Sequence, residues 1–276
     1  MVNYNNLNHM KTQIVMKVAL GVLFFTPQVY GQTTGSNVYW HIDPSVESCS
    51  MVIDPSLTQD QWKRYTRQVG ELATFKSLAS AKTIGKRHFS IAIDYSSTPV
   101  NQHDLAWINT FTHPDEDCPL GDRIKIPSIR GKYGISDKVE IGAFWTKALD
   151  ANYGMIGGEL KYSFIKESKK IPATAIRASF TSLTGVPDYN INIGSLDLLV
   201  SKKIAFLTPY LGIREGFVMG TETTTKVDLA KENLLVTQGF FGVTYSIWKI
   251  NLAAEYNISD VNTFAFLIGF QSFKNN

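Results

Sequence analysis

Two His-x-Asp pairs, His41/Asp43 and His113/Asp115, are the residues best suited to proton transfer. An imidazole titrates near neutral pH, and a neighbouring carboxylate can orient it. Residues two apart on an extended segment share a face, so His41 and Asp43 would point the same way. Ordinary hydrogen bonding is the competing expectation for His41. Residues 113–118, His-Pro-Asp-Glu-Asp-Cys, gather carboxylates with Asp122 nearby. Oxygen-rich clusters of that kind suit Ca²⁺, but the spacing matches no calcium loop, and a solvated acidic loop is expected instead. The sequence carries no zinc pattern, no phosphate-cradling glycine motif and no nucleophile motif. No catalytic, cofactor-binding or metal-binding residue is therefore assigned. Cys49 and Cys118 are the only cysteines. In an oxidising compartment they could pair as a disulfide, and two free thiols are the alternative.

The chain that must position these residues has 276 of them, enough for one substantial domain. Its charged fraction is 18%, below the roughly 25% usual for soluble domains. The formal net charge of +3 argues against a nucleic-acid partner. Lys11 and Lys17 precede an apolar run at residues 18–25, followed by Thr26, Pro27 and the small-residue site Val29-Tyr30-Gly31. The run is far short of the roughly 20 residues a spanning helix needs. This order is that of a cleaved secretory signal peptide over 1–31. A buried N-terminal helix is the alternative. Nothing downstream is long and apolar enough for a membrane helix, so the exported protein is either soluble or spans a membrane as strands.

From residue 86 onward the periodicity is two. Ile91 and Ile93 alternate with Ala92 and Asp94; Ile141 and Trp145 alternate with Glu140 and Phe144. Phe264, Phe266, Ile268 and Phe270 close the series. Ten such segments, most near ten residues long, predict strands with one apolar and one polar face. Short turns fall around Ser136-Asp137, Glu167-Ser168, Lys202-Lys203 and Trp248-Lys249, and long connections at 97–125 and 219–233. With a periplasmic C-terminus, the four short turns lie on the periplasmic side and both long loops lie outside.

On these features the chain resembles a bacterial outer-membrane β-barrel protein: dyad strands, sorted loops, interface aromatics Trp145, Tyr153, Tyr210 and Trp248, and an aromatic-rich last strand. Members usually end on an aromatic residue; here Phe273 is followed by Lys-Asn-Asn. The resemblance implies an all-β, antiparallel, up-and-down transmembrane barrel of 10 to 12 strands over 86–276. It implies the outer membrane of a Gram-negative bacterium, with outer-membrane lipid and the assembly machinery as partners. A soluble β-sandwich or lipocalin-like barrel is the rival fold. Residues 32–85 are either an extra strand pair with a loop helix or a periplasmic or lumenal extension. Within them Thr58 and Gln61 form a capping-box pattern, and Trp62, Tyr65, Val69 and Leu72 share one face of a helix over 58–72. Residues 73–82 are a candidate strand, pairing with the first barrel strand across a turn at Ile84-Gly85.

The inward face carries charges. Pairing Tyr133 with Val139 sets Lys132 opposite Glu140, pairing Ile165 with Ile171 sets Glu159 opposite Arg177, and Glu140 falls beside Lys161. Lys132, Glu140, Glu159, Lys161 and Arg177 are thus expected to form a structural charge network that narrows the lumen. The function expected is a barrel with a narrow polar lumen, serving as a small-solute channel or transporter. A non-conducting structural or adhesin-like barrel is the alternative, with a surface partner instead of a solute. An omptin-like outer-membrane enzyme built on His41 and Asp43 is the third reading, and none of the three requires a cofactor.

Overall fold

Alternation along the sequence becomes the two faces of a closed wall. The computed structural model describes residues 50–101, 103–112, 122–147 and 153–272. Among them ten strands form the wall: β1 (Phe89–Pro99), β2 (Arg123–Gly134), β3 (Val139–Lys147), β4 (Gly154–Ile165) and β5 (Ala173–Thr184). The circuit continues with β6 (Tyr189–Ser201), β7 (Leu207–Glu222), β8 (Glu232–Ile247), β9 (Ile250–Ile258) and β10 (Thr263–Gln271). Each strand runs antiparallel to the next, and β10 returns to β1 through pairs such as Ile268 with Ile93. Closure leaves no wall strand with an unpaired edge.

Side chains sort by parity. On β1, Ile91 and Ile93 face out while Ala92 and Asp94 are buried; on β10, Phe266 and Ile268 face out while Ala265 and Leu267 are buried. The connections 135–138, 166–172, 202–206 and 248–249 gather at one end of the wall, here the turn end. The other, loop end carries 100–122 and 223–231, the two longest connections. The expected 219–233 loop is shorter than the sequence suggests. β7 and β8 continue past the apolar alternation because their backbones still pair, Gly220 with Glu232, and because β6 pairs alongside, Tyr189 with Glu222.

Ten strands enclose more space than an eight-stranded wall, whose own side chains fill its bore. Here the chain fills the remainder itself. Helix α1 (Gln59–Ala73) begins at the Thr58–Gln61 capping box and lies inside the barrel against β6, β7 and β8. Its apolar stripe, Trp62, Tyr65, Val69 and Leu72, is buried in one cluster with Tyr189, Ile191, Val218 and Val236 of the wall. Two glycines allow the close approach. A Cβ on Gly70 would stand 2.3 Å from a Val218 methyl, and one on Gly220 would stand 2.6 Å from Thr66. Above the helix, Ile53 donates its amide to Asp188 at 2.9 Å. The short helix α2 (Leu105–Ile108), capped by Asp104, buries Trp107 beside Tyr65.

The expected strand at 73–82 does not form. Both edges of β1 are taken, by β2 and β10. Residues 74–84 instead descend through the lumen to the turn end, where Gly85, at φ +90°, reverses the chain into β1. Of the expected ten to twelve strands the wall uses ten.

Candidate functional site

The lower lumen is built from one or two charged residues at inward positions of each of β2 to β7. Lys132 Nζ lies 3.0 Å from Glu159 and 3.7 Å from Glu140; Lys161 Nζ lies 3.0 Å from Glu140. Arg177 donates Nη1 to Glu159 at 2.9 Å and Nε to Asp197 at 2.9 Å. Arg214 grips the same Asp197 through Nε at 3.0 Å and Nη2 at 3.1 Å, and its Nη1 reaches Gln238 and Asn257. Signs therefore alternate around half the circumference, from Lys132 on β2 to Arg214 on β7. A separate pair, Arg130 to Asp94 at 3.0 Å, spans β2 and β1.

The structure thus brings Lys132, Glu140, Glu159, Lys161 and Arg177 into one contact chain, although two registers differ from those the sequence suggested. Lys132 stands opposite Gly142 and Glu140 opposite Gly134, because the β2–β3 turn closes on Ile135 and Ser136 amides bonding to the Val139 carbonyl. Glu159 stands opposite Ser179 and Lys161 opposite Arg177, because the 166–172 turn is set by Ser168 bonding to Ile171, with a register shift at Ser163/Ile165. Each displacement is two residues, so faces are preserved, and the long side chains meet on the diagonal. Gly142 supplies the room: a Cβ there would stand 2.8 Å from Glu159 Oε1.

The charges also hold the plug. Arg177 donates to the Phe75 carbonyl at 2.9 Å, Arg130 to Lys76 at 2.7 Å, and Lys161 to Ser80 and Lys82 at 3.2 and 2.9 Å. Carboxylates take the plug's amides: Glu255 accepts from Leu78 at 2.7 Å and Glu140 from Ile84 at 2.8 Å. The Phe75 ring lies 4.5 Å from the Arg130 guanidinium carbon and 5.5 Å from that of Arg177. A segment without secondary structure thereby has its buried backbone groups answered by wall side chains. Beneath it, open toward the turn end, is a cavity of about 280 Å³ whose lining includes Lys132, Glu140, Lys161, Ser80 and Thr244.

Asp94, Arg130, Asp197, Arg214 and Glu255 were missed by the sequence reading. The signal was present, since each sits at the inward parity of its strand. Two expected interface aromatics are corrected. Tyr210 points inward and donates to Glu255 at 2.9 Å, being on the same parity as Arg214. Tyr153 packs on the buried cluster around α1. Trp145 and Trp248 do face outward, at 55% and 78% exposure. His41, Asp43, Cys49, His113, Asp115, Cys118, Phe273 and the leader over 1–31 lie outside the described residues. Of the acidic loop only Asp122 is described; its carbonyl accepts from the Val100 amide at 2.9 Å.

The outer surface decides the environment. Every strand presents large apolar side chains outward, among them Ile93, Ile129, Trp145, Leu211, Leu235 and Phe241, each more than half exposed. A soluble monomer rarely exposes contiguous apolar patches beyond a few hundred Å², whereas here the patch circles the wall. The chain folds as an outer-membrane-type β-barrel. No protein-family model matches it, and no curated protein matches it. Solved structures similar to the barrel include Ail of Yersinia pestis, at 11% identity and TM-score 0.31, covering 68% of this chain and 99% of that one. Omp33 of Acinetobacter baumannii is 8% identical, with TM-score 0.33 and coverage of 69% and 100%. The β domain of the Bordetella autotransporter BrkA is 12% identical, with TM-score 0.38 and coverage of 68% and 100%. The membrane reading of the barrel rests on its own surface.

Proposed function

We propose that this chain is an outer-membrane barrel of a Gram-negative bacterium, exported by its leader, whose bore is sealed by its own N-terminal segment and which acts as a non-conducting structural or loop-displaying barrel. One observation carries the reading: α1 and residues 74–84 occupy the lumen, and the wall's buried charges bind the plug's backbone. Opening the bore would break those hydrogen bonds and expose the apolar cluster around α1 to water, and both are unfavourable. The loop end is tied together by Asp188, which accepts from both Ile53 and Lys226, and by Arg64 with Asp104 at 3.0 Å. That surface is the one offered to a partner, and the turn end faces the periplasm.

Planar-bilayer recording tests this. The full chain is expected to insert without steady conductance and to show heat-modifiable migration in detergent gels. Steady single-channel currents from the intact protein would instead support the second reading, a small-solute channel, for which the polar cavity under the plug is the specific observation.

A further inference from the structure

The two ends of the barrel differ in charge. At the turn end, 82–88 supplies three Lys or Arg, 135–138 one, 166–172 three, 202–206 two and 248–249 one, against the acids Asp137 and Glu167 alone. At the loop end, the described connections between wall strands supply five Asp (Asp104, Asp122, Asp188, Asp228 and Asp260) against Lys226 and Lys231, with Arg64 of α1 paired to Asp104. The turn-end cations do not neutralise one another's neighbours. Among the described residues Lys166, Lys169, Lys170 and Lys203 are exposed and their ammonium groups make no ion pair. In the same turns stand the most exposed apolar side chains of this rim, Ile204 at 62%, Phe206 at 67% and Trp248 at 78%.

Lysines interleaved with protruding apolar and indole side chains suit a layer that is apolar below and anionic above. An indole settles at the headgroup level of a bilayer. Long lysine stems lie along apolar surface and lift their charge to the interface. Anionic lipid attracts such lysines at short range. We propose that the turn-end rim binds acidic phospholipid headgroups, drawing a ring of anionic lipid around this end of the barrel. The proposal rests on the membrane reading above and adds lipid selectivity to it.

The test uses the full-length protein inserted in phosphatidylcholine vesicles and in an equal mixture with phosphatidylglycerol. Spin-labelled phosphatidylglycerol and phosphatidylcholine report which lipid is held at the protein boundary. The wild type should prefer phosphatidylglycerol about fivefold, the scale of one lysine–headgroup attraction. The preference should shrink at high salt, because the contacts are exposed to screening. The combined Lys166→Gln, Lys169→Gln, Lys170→Gln and Lys203→Gln variant should lose it while keeping heat-modifiable migration. Lys231→Gln, at the other rim, should keep it. Equal boundary association of both lipids in a properly inserted wild type overturns the proposal, as does full selectivity in the four-lysine variant. Retention on cell-wall sacculi through these lysines without lipid preference also overturns it, in favour of an anionic wall polymer. Failure to insert in either vesicle overturns the membrane reading itself, a result distinguishable from insertion without selectivity.

Discussion

The upper and lower halves of the lumen are filled by the same stretch of chain in opposite ways. In the upper half α1 lays Trp62, Tyr65, Val69 and Leu72 on apolar wall residues such as Ile191 and Val218. In the lower half residues 74–84 bury Phe75, Leu78 and Ala81 in small apolar contacts, and their backbone is held by hydrogen bonds with Arg130, Lys161, Arg177 and Glu255. Apolar burial is non-directional and grows with area, so the upper half tolerates changes that keep volume. Charge pairs are directional, and each member is supported by its partners. Loss of one member leaves another uncompensated. The upper half therefore supplies stability to the plug, and the lower half fixes its path.

The sharpest way to break this contrast is at Asp197, which alone separates Arg177 from Arg214. Asp197→Ala should cost about 3–5 kcal/mol, the usual scale for stranding a buried partner, read as a lowered unfolding midpoint in detergent. Glu159→Ala, which takes one of two carboxylate partners from each of Lys132 and Arg177, should fall toward the lower end of that range. If both cost less than a typical surface substitution, water must reach the lower half and the contrast fails. Next in size is Leu72→Ala in the upper half. Its expected cost is about 2–3 kcal/mol, toward the lower part of the range for a buried Leu→Ala change. A Leu72→Met replacement should cost far less, whereas Asp197→Asn, though nearly isosteric, should recover little.

How far each half was legible follows from the same physics. The capping box at Thr58 and Gln61 and the stripe from Trp62 to Leu72 are local, and the helix observed over Gln59–Ala73 lies within a residue of its predicted span. Strand faces were legible because parity is local too: Lys132, Glu140, Glu159, Lys161 and Arg177 all face inward as the alternation requires. Glu140 does stand beside Lys161 as expected, but the register of the β2–β3 and β4–β5 hairpins was not legible, because it depends on which turn amides bond to which carbonyls, and neither the 135–138 nor the 166–172 turn has a glycine to mark its type. The path of 74–84 was the least legible. That segment has no period of its own, and its hydrogen bonds to the wall join residues 53 to 178 positions apart. Tyr210 could have been placed from its spacing to Arg214, but its aromatic type suggested the membrane interface.

Smaller effects sharpen the boundary between the halves. Thr58→Ala removes the oxygen that receives the Gln61 amide at the start of α1. It should cost about 1 kcal/mol, detected as faster hydrogen exchange confined to the first turn of the helix. Exchange rising equally through 74–84 would mean that the two halves loosen as one unit.

The smallest expected effect uses a charge pair outside the lumen as the reference for those within it. Lys82 Nζ lies 2.9 Å from Glu167 in the 166–172 turn, and Glu167 also accepts from the Lys203 amide at 2.9 Å. Partial burial works against ionisation of this carboxyl, but the hydrogen bonds from Lys82 and Lys203 outweigh it and hold its pKa below the ordinary glutamate value. A carboxyl with a depressed folded-state pKa contributes stability above its unfolded pKa and loses it as pH falls through the folded one. Glu167→Gln should therefore lie slightly below wild type in melting temperature at pH 7, by the equivalent of roughly 0–1 kcal/mol for an exposed pair. The difference should close as the pH drops below the usual glutamate range, because the wild-type side chain is then neutral as well. Asp197→Ala should stay far below Glu167→Gln at pH 7. Two variants of equal cost there would mean that burial gives the lumen pairs no added weight, and that the plug is held by its upper, apolar half alone.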